Sequence, residues 1–187
     1  MPLRSHKQLK NATKIIAMNA AVAALYVVFT MPFGTLAINP YVQIRPAEAL
    51  TILPALMPWS IVGLTVGCAV SNIISTFGIL DVLLGSTITL IAGLLTAFVF
   101  KKFYLAPIPP VVLNALLLPV VWLLAAPEGV TWSVYLLEVL GLLVSQSVVC
   151  FGLGIPLQHG STFCRCLTGR RQTIVARQKP LESFAAS

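Results

Sequence analysis

The segment Gln43-Ile44-Arg45-Pro46-Ala47-Glu48-Ala49-Leu50 decides the fold, because it places two opposite charges between two long charge-free runs, residues 15–44 and 49–80. A charge inside a bilayer costs about 2.5 to 3.5 kcal/mol on insertion scales, so charges that stay there are usually paired, turned inward or beside a water-filled cavity. Pro46 suits the first position of a helix, and Glu48 falls in its first turn, near the positive end of the dipole. The segment therefore predicts either a capped helix start with an interfacial ion pair or a ligand pocket that contains Arg45 and Glu48.

The composition indicates a multi-pass membrane protein. Of 187 residues, 58% are hydrophobic and only 9% are charged, whereas a soluble domain carries roughly 25% charged residues. Most charges lie near the N-terminus, at Lys101-Lys102, or after Cys164. The net charge of +7 is thus a signal of membrane topology, and we expect no nucleic-acid partner.

Six helices are predicted when the charge-free runs are divided at Pro and Gly residues by the length of a bilayer crossing, about 20 residues. The second helix is short and contains Pro54, and short or interrupted spans often mark a membrane binding site. We expect an ordered loop over residues 32–45. The predicted helices cover residues 13–31, 46–57, 59–76, 81–102, 109–126 and 132–157.

The distribution of basic residues predicts the orientation. The positive-inside rule places the N-terminus, the Lys101-Lys102 turn and the C-terminal tail in the cytoplasm. Glu48, Asp81 and Glu138 then fall toward the outer half of the bilayer. We expect a basic N-terminal segment (1–12), a six-helix domain in the plasma membrane (13–158) and a disordered basic tail (159–187) attracted to acidic lipids.

The sequence offers little for catalysis. It has no Gly-rich nucleotide-binding loop, so the chain itself is not expected to hydrolyse ATP. Its two histidines, His6 and His159, lie at the predicted cytoplasmic ends of helices. The pair Cys164-Arg165-Cys166 lacks zinc-site spacing. We therefore predict no catalytic residue, no metal and no cofactor.

Several polar residues within the predicted spans are candidates for ligand contact. Glu138 lies about six residues into the last helix, and its alternative role is to pair with Arg45. Asn72 and Asn114 can fix the carbonyl and nitrogen atoms of a planar ligand, or they can hydrogen-bond neighbouring helices. Four aromatic residues at the predicted outer face are either interfacial anchors or ligand-stacking groups: Tyr41, Phe77, Trp132 and Tyr135.

The chain resembles the QueT family over roughly residues 13 to 160. The resemblance rests on Gln43-Ile-Arg-Pro-Ala-Glu-Ala-Leu-Thr-Ile-Leu-Pro, on Gly67-Cys-Ala-Val-Ser-Asn-Ile, on Gly78-Ile-Leu-Asp-Val-Leu-Leu-Gly-Ser-Thr-Ile-Thr-Leu-Ile-Ala, and on Leu153-Gly-Ile-Pro-Leu. The elements Arg-x-x-Glu-Ala-Leu and Asp-x-x-x-Gly-Ser are distinctive together. The basic tail lies outside the resemblance.

The resemblance implies the substrate-binding (S) component of an energy-coupling factor importer for a queuosine precursor, a 7-deazaguanine base. Its partners would be a membrane coupling subunit, EcfT, and two EcfA ATPases. The S component is thought to topple in the membrane to release its cargo. Small residues on the first helix would dock EcfT, since they let another helix approach closely: Ala17, Ala20, Ala21 and Ala24.

A deazaguanine edge carries two N–H donors beside a carbonyl, which a carboxylate and an amide can satisfy, and an aminomethyl cation would suit Glu48 or Asp81. The family pattern has a Gly-Glu pair where this chain has Ser145-Gln146. If that Glu reads the base in relatives, Gln146 alters the pattern and Glu138, two turns earlier, can take over. Two alternatives stay open: an S component for another small vitamin, and a small membrane enzyme or scaffold that transports nothing.

Overall fold

The computed structural model describes residues 6–33, 44–73, 79–100, 102, 104–125, 131–157 and 160. Within these ranges the chain is helical and has no strand. Several predicted features lie outside the described residues, as does most of the predicted loop: Tyr41, Phe77, Lys101, Glu128, His159 and residues 161–187 of the basic tail with its two cysteines.

Six helical segments follow one another in the described ranges. They are α1 (His6–Thr30), α2 (Pro46–Leu56), α3 (Ser60–Asn72), α4 (Ile79–Phe98), α5 (Ile108–Ala125) and α6 (Trp132–Leu157). The all-helical prediction is confirmed, and so is the shortness of α2. By length and composition, three helical stretches can cross a membrane: Ala12–Phe33, Ile79–Phe98 and Trp132–Leu157.

The helix ends differ from the predicted ones by a few residues for identifiable reasons. Helix α1 begins at His6 rather than at residue 13, because lysines favour helix and residues 6–12 hold no Gly or Pro to stop it. Helix α4 ends at Phe98 rather than at residue 102, and the N–H groups of Val99 and Phe100 both bond to the carbonyl of Leu95.

Helix α2 is mostly a 3₁₀ helix. It starts as predicted, with Arg45 in extended conformation before Pro46, since a residue preceding proline is disfavoured in the helical region. The 3₁₀ turns cover Pro46–Ile52 and one α turn follows over Leu53–Leu56. Because Pro54 has no N–H to reach Leu50, the bond to the Leu50 carbonyl comes instead from Leu53.

Helix α2 contacts each of the other five helices. Around it α1 packs on α3, and α3, α4, α5 and α6 pack in sequence. Residues 47 to 52 are all buried, and they include the polar residues Glu48 and Thr51. A short 3₁₀ segment enclosed by longer helices places the first charged residues of the chain's apolar region in the protein interior.

Glycine permits the close contact between α1 and α3. A Cβ on Gly63 would lie 2.6 Å from the Asn19 carbonyl oxygen, and a Cβ on Gly67 would lie 2.8 Å from Cβ of Tyr26. The Gly63 N–H also donates a 2.7 Å hydrogen bond to Oδ1 of Asn19. This pair of glycines therefore sets the position of Tyr26 relative to α2.

The distribution of polarity fits a protein in lipid. Large apolar side chains are exposed along the outer faces, and on α3 they recur at every fourth residue, at Val62, Val66 and Val70. Exposed apolar surface of this extent marks contact with membrane or with partner helices. Buried side chains, by contrast, include charged and amide groups.

Candidate functional site

The candidate site is a buried polar cluster centred on Glu48 of α2. The Glu48 side chain is 2% exposed, and it faces inward because α2 is enclosed on all sides. Its backbone N–H bonds to the Arg45 carbonyl at 3.0 Å, which fixes the first turn. The carboxylate is thus held on a rigid element rather than on a loop.

Tyr26 of α1 provides the closest partner of this carboxylate. Its hydroxyl donates a 2.9 Å hydrogen bond to Oε1 of Glu48, and the ring is 1% exposed. Arg45 and the amide of Asn114 also act on the same carboxylate. Helices α1, α2 and α5 therefore converge on one acidic side chain.

Arg45 connects this carboxylate to helix α4. The guanidinium interacts electrostatically with both Asp81 and Glu48. Arg45 and Asp81 are 7% and 4% exposed, so these opposite charges are held away from bulk solvent. Pairing of this kind is what allows charged groups to remain in an apolar protein interior.

Asn72 joins α3 to the start of α4. Its amide donates to the backbone carbonyl of Asp81 at 3.1 Å and to Sγ of Cys68 at 3.6 Å. Gly85 makes room for this amide, since a Cβ there would lie 2.5 Å from Nδ2 of Asn72. The Asp-x-x-x-Gly-Ser element thus has a physical role, because its Asp and Gly both contact the Asn72 side chain.

Helix α6 reaches the cluster through Cys150. The thiol donates to the Glu48 backbone carbonyl at 3.6 Å, and the same carbonyl accepts a 2.6 Å hydrogen bond from the Thr51 hydroxyl. Cys150 also starts a π-helical turn, Cys150–Gly154. Such turns are frequent at functional sites. A Cβ on Gly154 would overlap Cδ1 of Ile52, so α6 and α2 touch closely there too.

Two buried acceptor atoms of this region have no hydrogen-bond partner within the ranges that the structure describes. They are Oε2 of Glu48 and Oε1 of Gln146. Gln146 is 1% exposed and lies one helical turn before Cys150. Because residues four apart share a helix face, its side chain is on the side of α6 that meets α2.

All seven predicted substrate-binding residues are buried, but the structure brings only some of them together. Arg45, Glu48, Asp81 and Asn114 interact, and Asn72 bonds to the backbone of Asp81. Glu138 shares the buried stripe of α6 with Gln146, yet eight residues, about 12 Å of helix, separate them. No hydrogen bond joins Glu138 to the described cluster.

Sequence reasoning missed Tyr26, Cys68, Thr51 and Cys150. The signal for Tyr26 is its spacing from Asn19, seven residues earlier in an apolar helix, which places two polar residues on one face. The cysteines give no comparable signal, because a buried thiol looks like any small apolar residue in a sequence. Of the predicted aromatic group, Trp132 is 81% exposed, and the Tyr135 hydroxyl bonds to the Leu116 carbonyl at 3.0 Å.

The predicted docking alanines on α1 are all exposed. Asn19, Ala23 and Tyr26 form the side of α1 that faces α3. The exposed side of small residues is therefore open to the close approach of another helix. The members of this alanine face are Ala17, Ala20, Ala21 and Ala24.

The chain is similar to known transport proteins. A relative from Lactococcus lactis subsp. cremoris (strain MG1363), described as queuosine precursor transporter QueT, is 37% identical over 95 residues. These residues are 50% of this chain and 56% of the relative, so the match spans about half of each. No solved structure matches. The sequence pattern of the QueT transporter family matches residues 16–160, and the chain therefore belongs to the QueT transporter family.

Proposed function

We propose that this chain is the substrate-binding component of an energy-coupling factor importer and that it captures a queuosine precursor, a 7-deazaguanine base. One observation carries the proposal. Helix α2, which five other helices contact, carries a buried carboxylate whose oxygen Oε2 has no hydrogen-bond partner among the described residues, within a bundle whose outer surface is apolar. A buried, unpaired acceptor is costly unless a ligand supplies the donor.

The donor and acceptor set of the cluster suits a polar heterocycle. Glu48 and Gln146 offer free oxygen atoms, and a neighbouring amide, Asn114, can donate as well as accept. A 7-deazaguanine base carries N–H donors and a carbonyl on one edge, which such a set can satisfy. Wrong bases would leave buried polar groups unpaired, which is a strong basis for discrimination.

The cluster is arranged for binding, and the energy for uptake would come from partners. The sequence carries no nucleotide-binding loop. The complete importer would contain an EcfT coupling subunit and two EcfA ATPases. The exposed alanine face of α1 is the surface that we assign to EcfT, because small residues permit close approach of another helix.

The proposed topology has six crossings of the plasma membrane with both termini in the cytoplasm. The positive-inside rule supports it through the basic residues at the N-terminus, near residue 102 and in the tail. In this orientation Arg45, Glu48 and Asp81 lie toward the outer half of the membrane. A ligand would therefore reach the cluster from outside the cell.

A binding titration tests the proposal. The full chain in nanodiscs would be titrated by calorimetry with 7-deazaguanine, guanine and riboflavin. We expect 7-deazaguanine to bind most tightly. Calorimetry is preferable to Trp132 fluorescence, because that indole is already 81% exposed to the surroundings of the protein. Tight binding of riboflavin alone would assign a different vitamin, and binding of none by a folded chain would contradict the proposal.

Uptake measurements test the transport role. Cells that express this chain with EcfT and the ATPases should accumulate labelled base, and cells lacking any one of these subunits should not. Accumulation by this chain alone would contradict the dependence on partners.

A further inference from the structure

Two buried oxygen atoms on facing helices lack hydrogen bonds in the described part of the chain. Oε2 of Glu48 belongs to α2 and Oε1 of Gln146 to α6, and both side chains are at least 98% buried, with exposures of 2% and 1%. The remaining unpaired oxygen of this kind, on Ser60, lies at the first residue of α3. A protein interior usually pairs such atoms.

Both acceptors belong to residues at the contact between α2 and α6. Cys150 touches the Glu48 backbone through its thiol, and Gln146 precedes Cys150 by one turn on the same face of α6. The contact between Gly154 and Ile52 holds the two helices together one further turn along. The Glu48 backbone and the face of α6 that carries Gln146 are thus held together by contacts that do not use the two unpaired oxygens.

The local groups leave the two oxygens available. The Tyr26 hydroxyl bonds to Oε1 of Glu48, and Oε2 has no hydrogen-bond partner in the part of the chain that the structure describes. Next to Gln146, the Ser145 hydroxyl donates to the Leu142 carbonyl of its own helix at 3.3 Å. A carboxylate oxygen and an amide oxygen are both acceptors, so a molecule that pairs with both of them must carry two donors.

We propose that Glu48 and Gln146 read two adjacent donors on the ligand: the ring N–H goes to Oε2 of Glu48, and the exocyclic amine goes to Oε1 of Gln146. This deepens the proposed function and rests on it. The ring N–H beside a carbonyl is the more acidic donor, and charge-assisted hydrogen bonds are the stronger ones, so it pairs with the carboxylate. Gln146 is then the residue that selects bases carrying a 2-amino group.

The experiment compares two bases that differ only in that amine, 7-deazaguanine and 7-deazahypoxanthine, on the full chain in nanodiscs by calorimetry. The wild type should prefer 7-deazaguanine by about tenfold or more. Gln146→Met keeps the length of the side chain and removes the acceptor, so the preference should fall to about twofold or less. Gln146→Glu restores an acceptor and should restore the preference, and Ser145→Ala should keep it, because that hydroxyl bonds within its own helix.

The base preferences of the variants and of the wild type test the role of Gln146. A preference that survives in Gln146→Met overturns the inference, and so does a preference that is lost in Gln146→Glu while 7-deazaguanine still binds. A folded wild type that binds both bases equally overturns the inference and leaves the proposed function standing. A folded wild type that binds neither base overturns both.

Discussion

The hydroxyl of Tyr26 donates a 2.9 Å hydrogen bond to the carboxylate of Glu48, and this bond joins the most exposed helix of the bundle to the most enclosed one. The two residues are 22 positions apart in sequence. On other faces of α1, Ala20, Ala21 and Ala24 are exposed. One helix therefore touches the candidate site on one side and carries the proposed docking surface on another.

Loss of the Tyr26 hydroxyl should destabilise the chain. Tyr26→Phe leaves the ring in place but removes the donor to a buried carboxylate, which costs about 1 to 3 kcal/mol when a buried partner is left unsatisfied. The midpoint of thermal unfolding in detergent measures this loss of stability. Tyr135→Phe is the control, since that hydroxyl bonds to the Leu116 carbonyl at a more exposed position. Equal midpoints for the two variants would contradict a special role for Tyr26.

A side chain at Gly67 should separate α1 from α3. In Gly67→Ala the new Cβ would lie 2.8 Å from Cβ of Tyr26 and 3.0 Å from the Ala23 carbonyl, so backbone must move. We expect a loss of about 1 to 3 kcal/mol, as for other overpacked contacts. Gly152→Ala is the matched control, because no atom lies within 4 Å of its added Cβ. If Gly67→Ala and Gly152→Ala had the same free energy of unfolding, the close contact between α1 and α3 would not matter for stability.

The contact between α6 and α2 should be sensitive to Gly154. An added Cβ would overlap Cδ1 of Ile52, so Gly154→Ala should push the helices apart and weaken base binding by about tenfold, about 1.4 kcal/mol. Ile52→Val removes that methyl group and should recover much of the affinity in the double variant, since mutations at touching residues do not add. If the losses of affinity in the two single variants added up in the double variant, the overlap with Ile52 would not be the cause of the weaker binding.

A large residue on the alanine face should block transport without affecting capture. Ala20→Trp and Ala21→Trp place a bulky ring on an exposed surface, so base binding by the isolated chain should stay at the wild-type level while uptake with EcfT and the ATPases is abolished. Val62→Trp, at a 61% exposed position on α3, is the control and should still transport. Normal uptake by the alanine variants would remove the docking role from this face.

Removal of the Glu138 carboxylate should weaken binding at least about tenfold, about 1.4 kcal/mol. The residue is 2% exposed and shares the buried stripe of α6 with Gln146. Calorimetry on Glu138→Ala measures the effect, with Leu137→Ala, an exposed neighbour, as the control. Wild-type affinity in Glu138→Ala would assign this carboxylate a structural role instead.

Much of the fold follows from local rules. Pro46 before Glu48 predicted the start of α2, because proline fixes the preceding residue as extended and fits the first helical turn. The lengths of the apolar runs predicted six helices and a short second one, and those features are present in the described residues. The same rules did not predict that α2 would be largely 3₁₀, which depends on its enclosure and on Pro54.

The candidate site could be predicted only in part. Charged and amide residues in apolar runs are conspicuous, so Arg45, Glu48 and Asn114 could be found without a structure. Tyr26 and Cys150 could not be placed, because their importance comes from contacts 22 and 102 positions away in sequence. Glu138 shows the opposite case. A carboxylate in an apolar run is as conspicuous in the sequence as Glu48, yet Glu138 lies two helical turns from Gln146 on α6.

The sequence by itself determined the class of protein and the identity of the buried polar groups, because the cost of moving charge into an apolar phase depends on residue type alone. Only the tertiary structure decided which of these groups meet. Packing of five helices around α2 satisfies one oxygen of Glu48 through Tyr26 and leaves the other without a hydrogen bond among the described residues. Hydrogen-bond satisfaction is a property of three-dimensional neighbours, and no spacing along the chain specifies it.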